Sequence, residues 1–194
     1  EAKQAAKGLG LTMSELQMLR KSFDQIDISG DGDIDREELI EALNERTTPL
    51  TDAVFALLDL DGNGRISFDE FVVCLATYCL YTKEDILQFM FNIFDVDSSG
   101  ALDDAEFKEL CRAVNCSEPL FAGNFASAMQ QFDENADGVI DFKEFRNLNQ
   151  EFPMLRFRAF RMQEGMQKLT LGATKWRKIL EDYKTIRECP RGQT

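Results

Sequence analysis

The sequence contains no histidine, a single tryptophan, and far fewer basic than acidic residues. Without histidine, the chain cannot form a Ser-His-Asp triad, use a histidine general base or hold zinc through imidazole. The net charge of −13 argues against binding to a nucleic-acid backbone and favours cations or basic partners. The longest apolar run, residues 71–81, is too short to span a membrane, so we expect no membrane association through this chain.

The cysteines are few and follow no metal-binding spacing. There are five of them, an odd number, and none is arranged as Cys-x-x-Cys. Because the first residues also lack a secretory-signal pattern, we expect reduced thiols in a cytoplasmic protein, with a cytoskeletal or ciliary location as an alternative. Cys74 lies among apolar residues, which predicts a small core side chain.

Charge is distributed unevenly along the chain. Residues 1–150 hold 30 of the 35 acidic side chains but 12 of the 22 basic ones, whereas residues 151–194 hold 5 acidic and 10 basic ones. An acidic body therefore precedes a basic tail. Two solvated faces would explain this division. The alternative is that the acids of the body bind a cation and the tail makes contacts.

A twelve-residue pattern occurs four times in the acidic body. Every copy has Asp first, Gly sixth, an aliphatic residue eighth and Glu last. Twenty of the 35 acidic residues lie within these copies, where they would repel one another without a bound cation. The copies span residues 27–38, 59–70, 95–106 and 133–144.

The spacing within each copy suits a hard divalent cation with about six to eight oxygen ligands. Positions 1, 3 and 5 turn short oxygen-bearing side chains inward, position 7 offers its carbonyl, position 9 acts through water, and Glu at position 12 gives both carboxylate oxygens. The predicted ligands of the first two loops are Asp27, Ser29, Asp31, Asp33, Asp35, Glu38, Asp59, Asp61, Asn63, Arg65, Ser67 and Glu70. Those of the last two loops are Asp95, Asp97, Ser99, Ala101, Asp103, Glu106, Asp133, Asn135, Asp137, Val139, Asp141 and Glu144.

Apolar residues flank every loop at constant offsets, which predicts a helix on each side. Those before the loops are Phe23, Ile26, Phe55, Leu58, Phe91, Phe94, Met129 and Phe132. Those directly after the final Glu are Leu39, Phe71, Phe107 and Phe145. The eighth residues suit a short strand that pairs two loops: Ile34, Ile66, Leu102 and Ile140.

Two helix starts are indicated by capping-box patterns, Thr12-x-x-Glu15 and Thr82-x-x-Asp85. No Gly or Pro occurs between residues 71 and 94. We therefore expect a helical connection between the second and third loops, with a bend near residues 81–82.

The repeat resembles the EF-hand. The second and fourth loops match the strict motif, whereas Ser29 and Ser99 stand in the first and third loops where the motif has Asp or Asn. The loops start 32, 36 and 38 residues apart. This short first step and the aromatic-rich segment 86–94 resemble the calcineurin B, calcineurin-B-like and neuronal calcium sensor group. For any one loop, the alternative is an EF-hand kept as scaffold without its metal.

The resemblance implies an all-α fold with two paired EF-hand lobes, residues 1–81 and 82–150, followed by a basic amphipathic tail, residues 151–194. It also implies that calcium is the cofactor, with up to four ions bound and magnesium in the resting state.

The basic tail carries two helical patterns. Pro153 separates it from the preceding helix, and Gly172 is placed to end the first pattern. The first pattern has one apolar face, with two phenylalanines roughly opposite: Leu155, Ala159, Met162, Met166 and Leu169, opposite Phe157 and Phe160. The second pattern consists of Trp176, Leu180, Tyr183 and Ile186.

Three interpretations of the tail stay open. It packs on its own EF-hand body, it binds a partner or an acidic surface, or it associates with a membrane, which is the least favoured because the acidic body would be repelled by anionic lipid. Apolar residues on two faces favour a mixture, with one face on the body and another on a partner.

Three functions agree with these patterns. The first is a non-catalytic calcium sensor or adaptor that binds a partner protein, either an amphipathic helix entering an apolar groove or a large complex. The second is a constitutive structural subunit of a cytoskeletal or ciliary assembly, and the third is a calcium buffer. The sequence has no Gly-rich phosphate loop and no kinase signature, so we expect no enzymatic activity.

Overall fold

A computed structural model describes residues 2–8, 10–114, 129, 131–151 and 157–188. Its described helices are α1 (Ala2–Gly8), α2 (Met13–Ile26), α3 (Arg36–Ala42), α4 (Pro49–Leu58), α5 (Phe68–Leu80), α6 (Lys83–Phe94), α7 (Asp104–Val114), α8 (Phe142–Glu151), α9 (Phe157–Leu169) and α10 (Ala173–Glu188). Two short strands accompany them, β1 (Ala101–Leu102) and β2 (Ile140–Asp141). The fold is all-α, with the loops paired two by two, as the sequence predicts.

Both predicted helix starts are full capping boxes. The Thr12 hydroxyl accepts a hydrogen bond from the Glu15 amide, and the Glu15 carboxylate accepts one from the Thr12 amide at 2.7 Å. Thr82 and Asp85 make the same reciprocal pair at the start of α6. Tyr81 leaves the helical conformation, so α5 and α6 are separated by a bend where the sequence predicts one.

The loops pair through their eighth residues, as predicted. Ile34 and Ile66 exchange two backbone hydrogen bonds of 2.9 and 2.8 Å. In the second pair, β1 and β2 run antiparallel, with Leu102 opposite Ile140. All four side chains are completely buried. The core is therefore continuous beneath each pair of loops.

The predicted apolar residues on either side of the loops are buried in every case, and Cys74 is buried with them. Among the residues that the structure describes, no helix is both long and apolar enough to cross a membrane.

The chain divides into two compact units. The first comprises Glu1–Thr47, Val54–Tyr81 and Met162–Thr194, and the second comprises Thr48–Ala53 and Thr82–Arg161. Within the first unit, the Phe23 ring meets Phe68 and Phe71 edge to face, with centroids 5.5 and 5.4 Å away. Within the second unit, the Phe91 ring has Phe142 and Phe145 at 5.4 and 5.5 Å.

From Met162 onward, the basic tail belongs to the first unit together with the first two loops. Helix α10 packs on α5, and so does α1, a segment for which the sequence patterns predict nothing. Trp176 is completely buried, and its indole N–H donates to the Thr170 hydroxyl at 2.9 Å. Helix α5 is thus packed against α2, α10 and α1 within this unit.

Two glutamines of α9 tie the tail to the C-terminal end of α5. Gln163 Nε2 donates to the carbonyl oxygens of Tyr78 and Tyr81, both at 2.9 Å. One turn later, Gln167 Nε2 donates to the Cys79 carbonyl at 2.9 Å. These side chains therefore supply donors to carbonyls at the end of a helix, where intrahelical donors become few.

The apolar face predicted for the first tail helix is partly confirmed. Ala159, Met162 and Met166 are buried, whereas Leu169 is 37% exposed. Leu169 is the last residue of α9, and the chain turns away there through Gly172 (φ +85°), as predicted. Pro153 and Leu155 lie outside the described residues, as do the side chains of Tyr183 and Ile186.

Candidate metal centre

Each loop folds tightly around its first Asp. The carboxylate of that residue accepts a hydrogen bond from the N–H of the sixth residue, a glycine, at 2.8–3.0 Å in all four loops. These glycines have positive φ angles of 82–102°, which other residues adopt only under strain. The four pairs are Asp27–Gly32, Asp59–Gly64, Asp95–Gly100 and Asp133–Gly138.

The final Glu of each loop closes it from the other end. One of its carboxylate oxygens accepts a hydrogen bond from an N–H of the second or third loop residue, and the other accepts one from the N–H of the ninth. Glu38, Glu70 and Glu144 are buried, and Glu106 is half-buried. This residue also lies in the first turn of the following helix, so it belongs to both the loop and the helix.

The ninth residue has a second role that the sequence interpretation missed. Its side-chain oxygen accepts the N–H of the final Glu, at 2.8–3.4 Å, and so caps the helix that follows the loop. The signal was present, because Asp or Ser followed three residues later by Glu is a capping-box pattern. The four capping residues are Asp35, Ser67, Asp103 and Asp141.

The acidic ligands converge most closely in the second and third loops. There, one carboxylate oxygen from each of three residues lies within 4.8 Å of the others. The two groups are Asp59, Asp61 and Glu70, and Asp95, Asp97 and Glu106. In the first and fourth loops the third position is Ser29 or Asn135, and no comparable group of three acids occurs there among the described residues.

The neutral candidate ligands bond to other candidate ligands. Ser29 Oγ donates to Asp27 at 3.2 Å, and Ser99 Oγ donates to the Ala101 carbonyl at 2.9 Å. Asn63 Nδ2 donates to Asp61 at 3.0 Å. In the fourth loop, the amide of Asn135 donates to Asp137 at 2.9 Å, and Val139 N–H donates to the same carboxylate. Within each loop, the neutral candidate ligands are therefore held close to other candidate ligands.

Local hydrogen bonds keep the final carboxylate of the second loop ionised. Burial raises the pKa of Glu70, but hydrogen bonds from Ser67 and from the N–H groups of Asp61 and Leu60 outweigh it. The pKa of Glu70 is therefore below its ordinary value. An ionised carboxylate is the form that binds a cation.

One seventh residue does more than offer its carbonyl. The guanidinium of Arg65, in the second loop, forms an ion pair with Asp31 in the first loop. This contact lowers the pKa of Asp31. The sequence shows a basic residue inside an acidic loop, but nothing in the repeat predicts which carboxylate it meets.

The donor set fits calcium. It consists of oxygens from Asp, Glu, Asn and Ser side chains and from backbone carbonyls, which are the ligands that hard divalent cations prefer. The predicted metal is therefore consistent with the chemistry of the loops.

The chain matches the EF-hand domain pair family twice, over residues 16–72 and 84–149. Calcineurin B of Schizosaccharomyces pombe is 30% identical over 138 residues, which cover 69% of this chain and 79% of that protein. Calcineurin B of Naegleria gruberi is 28% identical over 149 residues, covering 75% of this chain and 84% of that protein. Calcium-dependent protein kinase 4 of Plasmodium berghei is 32% identical over 152 residues, but these cover 28% of the kinase and 71% of this chain.

These relatives confirm the resemblance to the calcineurin B group that the loop spacing predicts, and they agree with calcium as the bound ion. Both the paired loops and the family matches lead to one assignment. The chain belongs to the EF-hand family of calcium-binding proteins, with calcineurin B among its relatives.

Proposed function

We propose that this chain is a calcium-dependent regulatory subunit that docks onto a partner protein. The observation that carries the proposal is that all four loops bring a first Asp, a sixth Gly and a final Glu into the same hydrogen-bonded arrangement. The calcineurin relatives are by name subunits, which supports a protein partner for this chain as well. We also propose that the chain itself has no catalytic activity.

The predicted residues at positions 1, 3, 5, 7, 9 and 12 are proposed as the ligands of up to four ions. When calcium is bound, its positive charge offsets the negative charges of the acidic oxygens in the loop. The final Glu is the residue that connects the loop to the following helix, because its carboxylate spans the loop while its backbone starts that helix. A shift of this carboxylate toward the loop centre therefore reorients the helix.

We also propose different roles for different parts of the chain. Residues 1–81 and 82–150 act as the two calcium-binding lobes, and the tail, residues 151–194, contributes to docking. The exposed Phe157, at 51% exposure, is available for contact with a partner, whereas Met162 and Met166 are buried within the first unit. A cytoplasmic location, and the cytoskeletal or ciliary alternative, stay predictions.

A constitutive structural role is the second candidate, and one observation favours it. Helix α5, which follows the second loop, is packed against α1, α2 and α10 and is bonded at its end by Gln163 and Gln167. A helix held on several sides reorients less readily than a free one. In this alternative, calcium rigidifies the first unit without exposing a docking surface.

Calorimetry on the intact chain tests the ligand assignment. Replacing the final Glu of one loop by Gln, as in Glu38→Gln, is expected to reduce the number of bound calcium ions by one, because the bidentate ligand is lost. Glu37→Gln is the matched control, since Glu37 is exposed, lies next to Glu38 and occupies no ligand position. An unchanged stoichiometry for Glu38→Gln would contradict the assignment.

Binding of an apolar dye distinguishes the two functions. A regulatory subunit is expected to bind more dye with calcium than with chelator, because apolar surface becomes exposed. Equal dye binding in both states, together with full calcium stoichiometry, would favour the structural role.

A further inference from the structure

Arg65, in the second loop, places its guanidinium against Asp31, a proposed ligand of the first loop. Its guanidinium meets one carboxylate oxygen of Asp31, whose other oxygen accepts the N–H of Asp33 at 3.2 Å. Both oxygens of Asp31 are therefore engaged within the protein. The position of Arg65 is fixed locally, because its own N–H donates to Asn63 at 2.8 Å and the next residue pairs with Ile34.

The second pair of loops lacks this feature. The residues at the seventh position are Ala101 and Val139, neither of which carries a charge, and the fifth residue of the third loop is Ser99. Of the four seventh positions, only Arg65 in the first pair is a cation. This difference allows the effect of the cation to be isolated.

We propose that Arg65 acts as an internal counter-cation for Asp31. By holding the Asp31 carboxylate, Arg65 sets the calcium affinity of the first loop. This inference rests on the proposed ligand role of Asp31. An ion bound at the fifth position and the guanidinium both draw on the negative charge of the Asp31 carboxylate. Binding in the first loop therefore competes with the ion pair, and a positive charge stays close to the site.

Arg65 also neutralises repulsion when the loops are empty. Asp31, Asp33 and Asp35 all lie in the first loop, and the pKa of Arg65 is raised first by its hydrogen bond to Asp31 and then by the charges of all three. The same residue thus stabilises the calcium-free loop pair and weakens calcium binding. Both effects make the first loop fill later than it would without Arg65.

The size of the effect follows from Coulomb's law. A unit charge beside a divalent ion, in a water-like dielectric and at physiological salt, changes affinity by about threefold to tenfold. Arg65→Gln is therefore expected to tighten calcium binding in the first loop by about that factor. Arg65→Lys, which keeps the charge, is expected to lie close to the native protein.

Glycine amide resonances allow each loop to be read separately. Gly32, Gly64, Gly100 and Gly138 each donate an N–H to the first Asp of their own loop, so each reports on one site. The experiment is a calcium titration of the intact, 15N-glycine-labelled chain in the presence of a competing chelator. The expected result for Arg65→Gln is an earlier midpoint for Gly32, with the midpoints of Gly100 and Gly138 unchanged.

Lys143→Gln is the matched charge control. It removes one positive charge from a loop residue that contacts Glu134, a side chain outside the ligand set, at 3.4 Å. The midpoint of Gly32 is expected to stay unchanged in this variant. The advantage of Arg65→Gln is also expected to shrink in 1 M KCl, where the Debye length falls to about 3 Å.

Three outcomes decide between the inferences. If Glu38→Gln leaves the Gly32 titration intact, the first loop is not a calcium site as proposed, and the proposed function fails there. If Glu38→Gln abolishes it but Arg65→Gln leaves the midpoint unchanged, the proposal for Arg65 alone is overturned. An earlier midpoint that also occurs in Lys143→Gln, or that persists in 1 M KCl, overturns it as well.

Discussion

The first and second loop pairs share a sequence pattern but differ in what surrounds them. The first pair belongs to a unit that also contains α1, α10 and the C-terminal half of α9, all folded with the helices of the first two loops. The second pair belongs to a unit that contains α6, α7 and α8, together with Thr48–Ala53 from the start of α4 and the first residues of α9. The first pair is joined by an isolated bridge between Ile34 and Ile66, whereas the second is joined by a two-residue ladder.

This difference shows that the repeat determines the loops and other residues determine their support. Within each loop, the bonds of the first Asp, the sixth Gly and the final Glu are nearly the same. Besides α2, helix α5 packs against α1 and α10, which come from segments at either end of the chain that carry no part of the repeat. We therefore expect the two pairs to respond differently when calcium or the tail is removed.

Removal of calcium is expected to have the largest effect, and to affect the second pair more. At a free calcium concentration 1,000-fold above Kd, each occupied site adds about 4 kcal/mol to the free energy of unfolding. Without it, the acidic loops repel one another, but the first unit keeps the packing of α1 and α10 on α5. Hydrogen exchange in chelator is expected to be faster in α7 and α8 than in α2 and α5.

The calcium-loaded protein is the control, because it gives the exchange rate of each helix before calcium is removed. Equal loss of protection in both units on adding chelator would show that the extra helices give the first pair no advantage. Faster exchange in α5 than in α7 would reverse the comparison.

Truncation of the tail core is the next largest change, and it is expected to act on the first unit. Met166 and Trp176 are buried there, and replacing a buried Met or Trp by Ala costs about 2–5 kcal/mol through the lost contacts and the cavity. Met166→Ala and Trp176→Ala are therefore expected to lower the denaturant concentration at which α2 and α5 of the first unit unfold.

Leu169→Ala is the matched control for these variants. It removes an aliphatic side chain from the same helix, but one that is 37% exposed, so it is expected to cost about 1 kcal/mol or less. If all three variants destabilise the protein equally, the burial of Met166 and Trp176 is not the main way in which the tail stabilises the first unit.

The sequence predicts the loops well because their geometry is local. The distance between a first Asp and a sixth Gly is closed by the turn itself, so residue type and spacing suffice to place them. The same holds for the capping boxes at Thr12 and Thr82 and for the buried apolar residues around the loops. The ligand role of each residue stays a prediction.

Contacts between distant segments could not be predicted in the same way. Gln163 and Gln167 are polar residues of a helix, and no pattern in the sequence marks them as partners of α5 carbonyls. Ile179 is buried although it lies outside the predicted apolar pattern. Leu169 fits that pattern but ends its helix partly exposed. Each of these depends on where the chain turns, which periodicity alone does not fix.

The glutamine bonds to α5 are expected to make a smaller contribution than the tail core. Gln163→Met keeps the approximate length of the side chain but removes the amide that donates to the carbonyls of Tyr78 and Tyr81, at an expected cost of about 1–3 kcal/mol. Gln88→Met is the control, because Gln88 donates to Asn92 on its own helix. Urea denaturation of both variants measures the difference. A Gln163→Met protein as stable as the control would show that water replaces the glutamine fully.

The ion pair between Lys175 and Glu15 gives the smallest expected effect, and it makes the stability of the first unit depend on pH. The hydrogen bond from Lys175 is the largest cause that lowers the pKa of Glu15 below 4.5. Because the folded pKa is lowered, the unfolded chain binds more protons near pH 4. The stabilisation is therefore fully present above pH 4.5 and is lost as pH falls through the folded pKa of Glu15.

Lys175→Met removes the largest cause of this pKa shift. Because the lysine is 35% exposed, the variant is expected to lose less than about 1 kcal/mol of stability at pH 7. The loss is expected to be smaller still below pH 4. Urea midpoints of the native protein and the variant at pH 7, 5 and 3.5 measure this difference, in which titration of the calcium loops cancels. Lys168→Met is the control, because the pair of Lys168 with Glu164 is exposed on both sides and is expected to contribute almost nothing at any of these pH values. A deficit for Lys175→Met that grows as the pH falls has the wrong sign for an ion pair and would assign the role of Lys175 to packing of its aliphatic stem.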